Sequence, residues 1–309
     1  MIVTVTMNPA LDKTAEVAAL LPGALNRLEN VRVDAGGKGV NVSKMVTVLG
    51  GETLCTGFVG GQPGRELRFR IDALDIPNDF IEVGSTTRTN LKVVAARGGL
   101  TELNEPGIDV TEQEMDALLE KVLFLAGRGG IVVLSGSLPR GADPDTYRRF
   151  AAALRRAGCA VVVDADGEAF RRALEAPPQV IKPNRFELLQ YCGLPQDTPT
   201  EQLPGLCRPL LEKGVEWVAL SMGGDGAMFF TPHQAARAMA LPVKVRSTVG
   251  AGDSMVGALA YALEAGLGFE QTVRLAMAAS NGAVATEGTN PPTLETVNEL
   301  KRQVEILPL

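Results

Sequence analysis

Short, mostly continuous apolar runs alternate with helically spaced segments almost from end to end of this chain, and few folds accept that pattern. The runs Ile2–Thr6, Ile131–Ser135, Ala160–Asp164, Val180–Lys182, Trp217–Ser221, Ala227–Phe230 and Val243–Val245 are rich in β-branched residues. Continuous apolarity, rather than strict alternation, predicts strands buried on both faces. Between the runs, Val40–Leu49, Thr111–Ala126, Pro144–Ala157, Gln202–Lys213, Asp253–Ala265 and Phe269–Thr286 have helical spacing. Thr111 followed by Glu114 is a capping-box pattern that marks a helix start. Strand–helix alternation predicts an α/β fold, a doubly wound and mostly parallel sheet flanked by helices. No linker or low-complexity segment interrupts it, so residues 1–309 are expected to form a single domain.

Two stretches break the alternation. Residues 14–35 and 84–105 are strand-like but polar and rich in turn residues. They fit either a small separate sheet over a site or edge strands and loops of the main sheet. Pattern alone does not separate the two.

Composition excludes several classes of function. The net charge is −6, and no basic cluster offers an electrostatic footprint for nucleic acid. An anionic substrate would therefore need a local basic pocket. Cys55, Cys159, Cys192 and Cys207 form no CxxC pair and suit neither zinc nor a disulfide framework. They read as reduced thiols of a cytoplasmic protein. His233 is the one histidine, which leaves no room for a histidine triad or a His-rich metal site, and it follows a Thr-Pro turn. The first residues lack a basic region and a long apolar stretch, so no secretory signal is expected. No apolar run approaches membrane-spanning length, and no membrane partner is expected.

The strongest chemical signal is Ser247-Thr248-Val249-Gly250-Ala251-Gly252-Asp253-Ser254, which opens an apolar helix. Gly250, Ala251 and Gly252 would present backbone N–H groups at a helix N-terminus, a natural anion site. Glycines there let the backbone approach phosphate oxygens. Asp253 adds negative charge at the same place. That suits a residue that accepts a proton from an attacking hydroxyl, although a helix N-cap would use the same residue. The loop is not a Walker A motif, because no Gly-Lys-Ser/Thr follows.

Gly250-Ala251-Gly252-Asp253-Ser254 resembles the second signature of the ribokinase-like, or PfkB, carbohydrate kinase family. Ala35-Gly36-Gly37-Lys38-Gly39-Val40-Asn41-Val42 resembles the first. Between them fall further family landmarks in order: Ser135-Gly136-Ser137-Leu138-Pro139, Lys182-Pro183-Asn184-Arg185-Phe186-Glu187 and Ser221-Met222-Gly223-Gly224-Asp225-Gly226. Asn8-Pro9-Ala10-Leu11-Asp12 precedes them. The resemblance spans essentially the whole chain. It implies a kinase that uses ATP and Mg²⁺, with Asp253 as base and the 250–252 backbone as anion hole.

The other roles are also implied by the resemblance. Asp12, Gly36, Gly37, Asn41, Asn90 and Ser137 would contact the sugar. A carboxylate such as Asp12 can accept two hydroxyls. Asn184 and Glu187 would hold hydrated magnesium and the nucleotide phosphates, and oxygen ligands with retained waters suit that ion. Lys182, Ser221, Gly223, Gly226, Thr248 and Asn281 would complete the nucleotide site. A small β-sheet lid from segments 14–35 and 84–105, and a homodimer through its exposed edges, are implied as well. Relatives that need potassium carry Asp six residues before the base; here Ser247 stands there, so the resemblance does not by itself imply a monovalent-cation requirement.

The first sugar-side question is whether the acceptor already bears a phosphate, which needs cationic partners. Arg27, Lys38 and Arg88 are the candidates. Thr4–Pro9, Arg88-Thr89-Asn90, Thr101–Gly107 and Ser247–Gly257 are most similar to the branch of the family that holds the 1-phosphofructokinases, sister to the tagatose-6-phosphate kinases. That branch implies ATP-dependent phosphorylation of fructose 1-phosphate to fructose 1,6-bisphosphate. Its rivals are tagatose 6-phosphate, a nucleoside or a free sugar as acceptor, and a non-catalytic sugar-phosphate sensor. A sensor needs no base, whereas Asp253, Asn184 and Glu187 are all present.

Overall fold

In the computed structural model, which describes residues 1–96 and 99–309, ten strands form one large sheet. Its order runs Ile306–Pro308, Ala235–Ala238, Ala227–Phe230, Trp217–Ser221, Val180–Ile181, Ala160–Asp164, Ile131–Ser135, Ile2–Thr6, Thr53–Val59, Ile81–Glu82. From Trp217–Ser221 to Ile81–Glu82 every neighbouring pair is parallel, and the three strands beyond Trp217–Ser221 are antiparallel.

The strand sequences explain the layering. Val161 and Val163 belong to an apolar cluster on one face of the sheet, with Tyr147, Phe150, Leu188 and Leu210. Val162, between them, belongs to a second cluster on the other face, with Met45, Val256, Leu259 and Met277. Both faces are covered by helices, which is why the runs are apolar without alternation. The expected capping box is present: Glu114 N–H donates to Thr111 Oγ1, and Thr111 N–H donates to Glu114.

The two irregular stretches form a separate sheet. Its order is Glu29–Gly36, Ala10–Val17, Arg88–Ala95, Gly99–Asn104. Of the segment 84–105, Arg97 and Gly98 lie outside the described residues. Leu11 and Ala35 pack with Leu67 and Ile71 of the helix Gly61–Asp72. The opposite pleat carries Asp12 and Asn90, directly paired across the strands.

One predicted strand is absent. Val243–Val245 is irregular, and Val245 is exposed. Pro242 lacks the N–H that a ladder needs. The segment is fastened to the helix Phe269–Val284 instead: Arg246 N–H and Ser247 N–H donate to Val284 O, and Leu241 N–H donates to Asn281 Oδ1. The place beside Ala227–Phe230 is taken by Ala235–Ala238.

The parallel strands all end on one side, at Thr6, Ser135, Asp164, Ile181 and Ser221. The motif loops follow those ends, so the motifs meet in the crevice that open parallel sheets use for ligands.

Candidate active site

The helix Ala251–Glu264 starts at Gly250, whose φ of 82° is a left-handed conformation open to glycine at little cost. Asp253 sits in the first turn and is 7% exposed. Its Oδ2 accepts a hydrogen bond from Asn41 Nδ2 at 2.8 Å. Burial raises the Asp253 pKa, and the nearby Asp164 charge adds to the rise; Lys38, the Asn41 bond and Lys182 oppose it. A carboxylate so placed takes a proton more readily than one in water.

Asp164 ends its strand with both oxygens buried and outside hydrogen-bond alignment with any described group. Lys182 Nζ lies 3.3 Å from Oδ1 and Lys38 Nζ 3.4 Å from Oδ2, close enough for ion pairing. Burial pushes the carboxyl pKa up, but the two ammonium groups outweigh it and the net shift is downward. The Lys38 pKa is raised, chiefly by Asp164. Lys38 was expected on the sugar-phosphate side; it faces Asp164 and lines the same cavity as Asp253 and Lys182. Gly252 leaves room for this group: a Cβ there would stand 3.3 Å from Lys182 Nζ.

Asn184 and Glu187 cap their own helix. Asn184 Oδ1 accepts from Glu187 N–H, and Glu187 Oε2 accepts from Asn184 N–H, both at 2.8 Å. The Glu187 pKa is raised by burial, with Lys182 opposing. Both residues line the cavity, and Glu187 Oε1 is free of the capping bond.

That cavity, about 640 Å³, holds Ser221, Gly223, Gly226, Thr248 and Asn281 together with the residues above. Its far end is apolar, lined by Leu241, Val243, Met277 and Val284. Asn281 has its side chain engaged: Oδ1 accepts from Leu241 N–H and Nδ2 donates to Met277 O. It pins the apolar wall. Another cavity, about 420 Å³, opens near Val110, Thr111 and Arg149 and contains none of these residues.

On the small-sheet side, Asp12 is 5% exposed. Asn90 Nδ2 and Lys92 Nζ each donate to it at 3.1 Å. Gly36 is required beside it, since a Cβ there would fall 2.5 Å from Asp12 Oδ2. Gly37 caps the helix Lys38–Val48. Arg88 donates to Asn8 O and Glu105 O. Ser137 Oγ accepts from Asn8 Nδ2. Asn8 Oδ1, Arg88 Nε and Asn90 Oδ1 are buried without a partner among the described residues, a mixed donor–acceptor set around one crevice. Arg27 is not brought to it; it is exposed in the loop between Ala10–Val17 and Glu29–Gly36.

Three residues of the crevice were not singled out from sequence. Asp164 closes an apolar strand, Lys92 lies two positions after Asn90, and Lys44 follows Asn41 by three positions, one helical turn. A charge at the end of an apolar run was the available signal for Asp164.

A model of the pfkB family carbohydrate kinases matches residues 5–296. The chain belongs to that family. It is 35% identical to a 1-phosphofructokinase of Vibrio cholerae, across 99% of this chain and 96% of that one. It is 36% identical to a 1-phosphofructokinase of Rhodobacter capsulatus, across 99% and 97%. Among solved structures, phosphofructokinase-2 from Escherichia coli in complex with potassium matches with a TM-score of 0.93 and 30% identity, over 98% of each chain. Family and fold thus agree with the ribokinase-like resemblance in the sequence.

Proposed function

We propose that this chain transfers the γ-phosphoryl group of ATP to the 6-hydroxyl of fructose 1-phosphate, giving fructose 1,6-bisphosphate and ADP. The observation that carries the reading is the position of Asp253. It stands at a helix N-terminus, lines a 640 Å³ cavity with apolar walls, and is hydrogen-bonded to Asn41 of the helix that follows Gly36, the residue packed against Asp12. Full-length likeness to several 1-phosphofructokinases supports the choice of sugar.

In this reading Asp253 takes the hydroxyl proton as the sugar oxygen bonds to the γ-phosphorus. The bond from that phosphorus to the bridging oxygen breaks, and ADP leaves with the electron pair. The 250–252 backbone at the helix start receives the transferring anion, an interaction of the oxyanion-hole type. Lys182 and Lys38 supply positive charge beside it. Asp12 and Asn90 orient ring hydroxyls, and Arg88 takes the existing phosphate. Arg27, exposed in its loop, remains a candidate phosphate partner with no contact to the crevice within this chain.

Among the described residues no cluster of three His, Cys, Asp or Glu side chains could cage a metal. Glu187, Asn184 and Asp164 nevertheless fit a magnesium ion that keeps waters and phosphate oxygens as most of its ligands. The observation behind that fit is Asp164, whose two buried oxygens hold only long ion-pair contacts to Lys182 and Lys38 and no hydrogen bond among the described residues. Bound there, the ion would neutralise phosphate charge.

The small sheet serves as the lid of this single domain, and a homodimer forms through it. Val94 and Leu100, paired across its strands, are 39% and 48% exposed on one face. No described helix is long and apolar enough to cross a membrane, and four cysteines without a disulfide support a cytoplasmic location.

The test is ADP release with fructose 1-phosphate, tagatose 6-phosphate, fructose 6-phosphate, fructose and adenosine at fixed ATP and Mg²⁺. Fructose 1-phosphate should give the highest kcat/KM. Tagatose 6-phosphate in first place would replace the sugar and keep the kinase. Adenosine or free fructose in first place would remove the phosphate pocket.

A further inference from the structure

Lys44 touches both the small sheet and the partner of the base, and nothing above uses it. It shares a face of the helix Lys38–Val48 with Asn41, three residues earlier. It is 5% exposed, yet it forms no ion pair among the described residues. Its Nζ donates to Ala35 O at 2.6 Å and to Asn41 Oδ1 at 3.2 Å. Asn41 Nδ2 donates in turn to Asp253 Oδ2 at 2.8 Å.

We propose that Lys44 is a positioning residue that fixes the Asn41 amide, and through it the proton-accepting oxygen of Asp253. The inference rests on the assignment of Asp253 as base. An asparagine amide has ends of nearly equal size, and only its hydrogen-bond network distinguishes them. An ammonium group has three donors and no acceptor, so only Oδ1 of Asn41 can face it. Nδ2 is then forced toward Asp253. A flipped amide would set two acceptors, Asn41 Oδ1 and Asp253 Oδ2, against each other. With Oδ2 engaged by Asn41, Oδ1 of Asp253 is left for the sugar hydroxyl.

The second anchor matters as well. Ala35 directly precedes Gly36 and Gly37, so one ammonium registers the sugar-side backbone against the base. The arrangement is kept against a cost, because burial lowers the Lys44 pKa. The charges of Asp34, Asp12, Cys55 and Asp253 oppose that shift, and Asp12 is itself paired with Lys92.

The experiment compares wild type, Lys44→Met, Lys44→Arg, Asn41→Ala and the Asn41→Ala/Lys44→Met double variant. ADP release with fructose 1-phosphate is followed across pH, with melting temperature in parallel. Methionine fills the space without donating. Lys44→Met should lower kcat by roughly tenfold to a hundredfold, the scale of one charge-assisted hydrogen bond, with KM for ATP little changed. Its acid limb of kcat/KM should move to higher pH, since the Asn41 bond that lowers the Asp253 pKa is loosened. Arginine, which keeps donors, should recover most of the loss. In the Asn41→Ala background, Lys44→Met should cost little more, because residues acting in series are non-additive. Full additivity in that background, or a limb that stays put while only the melting temperature falls, overturns the proposal. Should Lys44→Met not fold, the same readouts in Lys44→Gln decide. A wild type that phosphorylates none of the tested sugars defeats the functional reading itself, whereas an active wild type with an equally active Lys44→Met defeats this inference alone.

Discussion

Lys182 Nζ lies 3.3 Å from Asp164 Oδ1, and the two side chains are 5% and 1% exposed. Removing one charge of such a pair leaves the other buried and uncompensated, a loss of about 3–5 kcal/mol. Asp164→Asn should therefore destabilise the fold by about 3 kcal/mol near neutral pH. The folded pKa of Asp164 is depressed, so its stabilisation is present above the unfolded value of 3.8 and fades as pH falls through the lower folded value. Urea titrations of both proteins should show the gap narrowing as pH falls through 3.8. A gap that is absent at pH 7, or widens on acidification, contradicts the pairing.

Asp253 predicts the opposite sign of stability effect. Its folded pKa is raised, so its contribution to stability is fully present below the unfolded value and is lost as pH rises through the folded one. At neutral pH the ionised carboxylate burdens the fold. Asp253→Asn should raise the melting temperature, by on the order of 2–4 °C. The same change should lower kcat by roughly 10²–10⁴, the usual worth of a general base. Thermal scans and ADP release on one preparation measure both. Near-normal kcat would end the assignment of Asp253 as base.

The pH profile follows from the same residue. Catalysis needs Asp253 ionised, so activity should fall as pH drops through its raised pKa. The acid limb of kcat/KM should lie above the ordinary value of 3.8. Neutralising Asp164 removes the charge that adds to the rise. Any activity left in Asp164→Asn should therefore show a limb shifted to lower pH. A limb unchanged by that substitution would mean that the Asp164 charge does not contribute to the raised Asp253 pKa.

How far these residues could be read in advance depends on where their information lies. The main sheet was legible because its strands are buried on both faces, and that burial is written into Val161-Val162-Val163 and its counterparts. The motif loops were legible because glycine and Asp253 occur at fixed spacing. Val243–Val245 misled because β-branched residues favour strands wherever they fall, while the decisive bonds come from Asn281 and Val284, far along the chain. Lys92 acts through Asp12, 80 residues earlier, and Asp164 through Lys38 and Lys182, and the positions of those partners are set by the fold rather than by any local spacing. Arg27 was suggested by its proximity to the first signature, but the loop that carries it extends into solvent.

Gly252 tests the helix start. A Cβ at this position would lie 3.3 Å from Lys182 Nζ and 3.4 Å from Lys182 Cε. A branched side chain would crowd that ammonium and cover the N–H groups proposed to meet the phosphoryl group. Gly252→Val should lower kcat by on the order of a hundredfold or more, the scale of a lost oxyanion-hole donor. Nucleotide affinity, measured by calorimetry, should change far less, because the apolar end of the cavity is untouched. Wild-type turnover in Gly252→Val would reduce this loop to a helix cap.

Arg88 decides whether the acceptor carries a phosphate. Burial lowers its pKa, with Asp12 and Glu105 opposing, and Nε has no partner among the described residues. Among the described residues its Nη1 and Nη2 reach only backbone oxygens, Glu105 O and Asn8 O. A half-buried guanidinium held by neutral acceptors lacks an anion, and a sugar phosphate would supply one. A charge-assisted hydrogen bond contributes about 1.5–3 kcal/mol, which corresponds to roughly a tenfold to hundredfold change in kcat/KM. Arg88→Ala should therefore raise KM for fructose 1-phosphate by about that factor while leaving KM for ATP nearly unchanged. Free fructose has no phosphate to lose, so its kcat/KM should change little and the gap between the two sugars should narrow. An equal loss with both sugars would assign Arg88 to holding the Asn8 loop in place, and the phosphate would then need another cation.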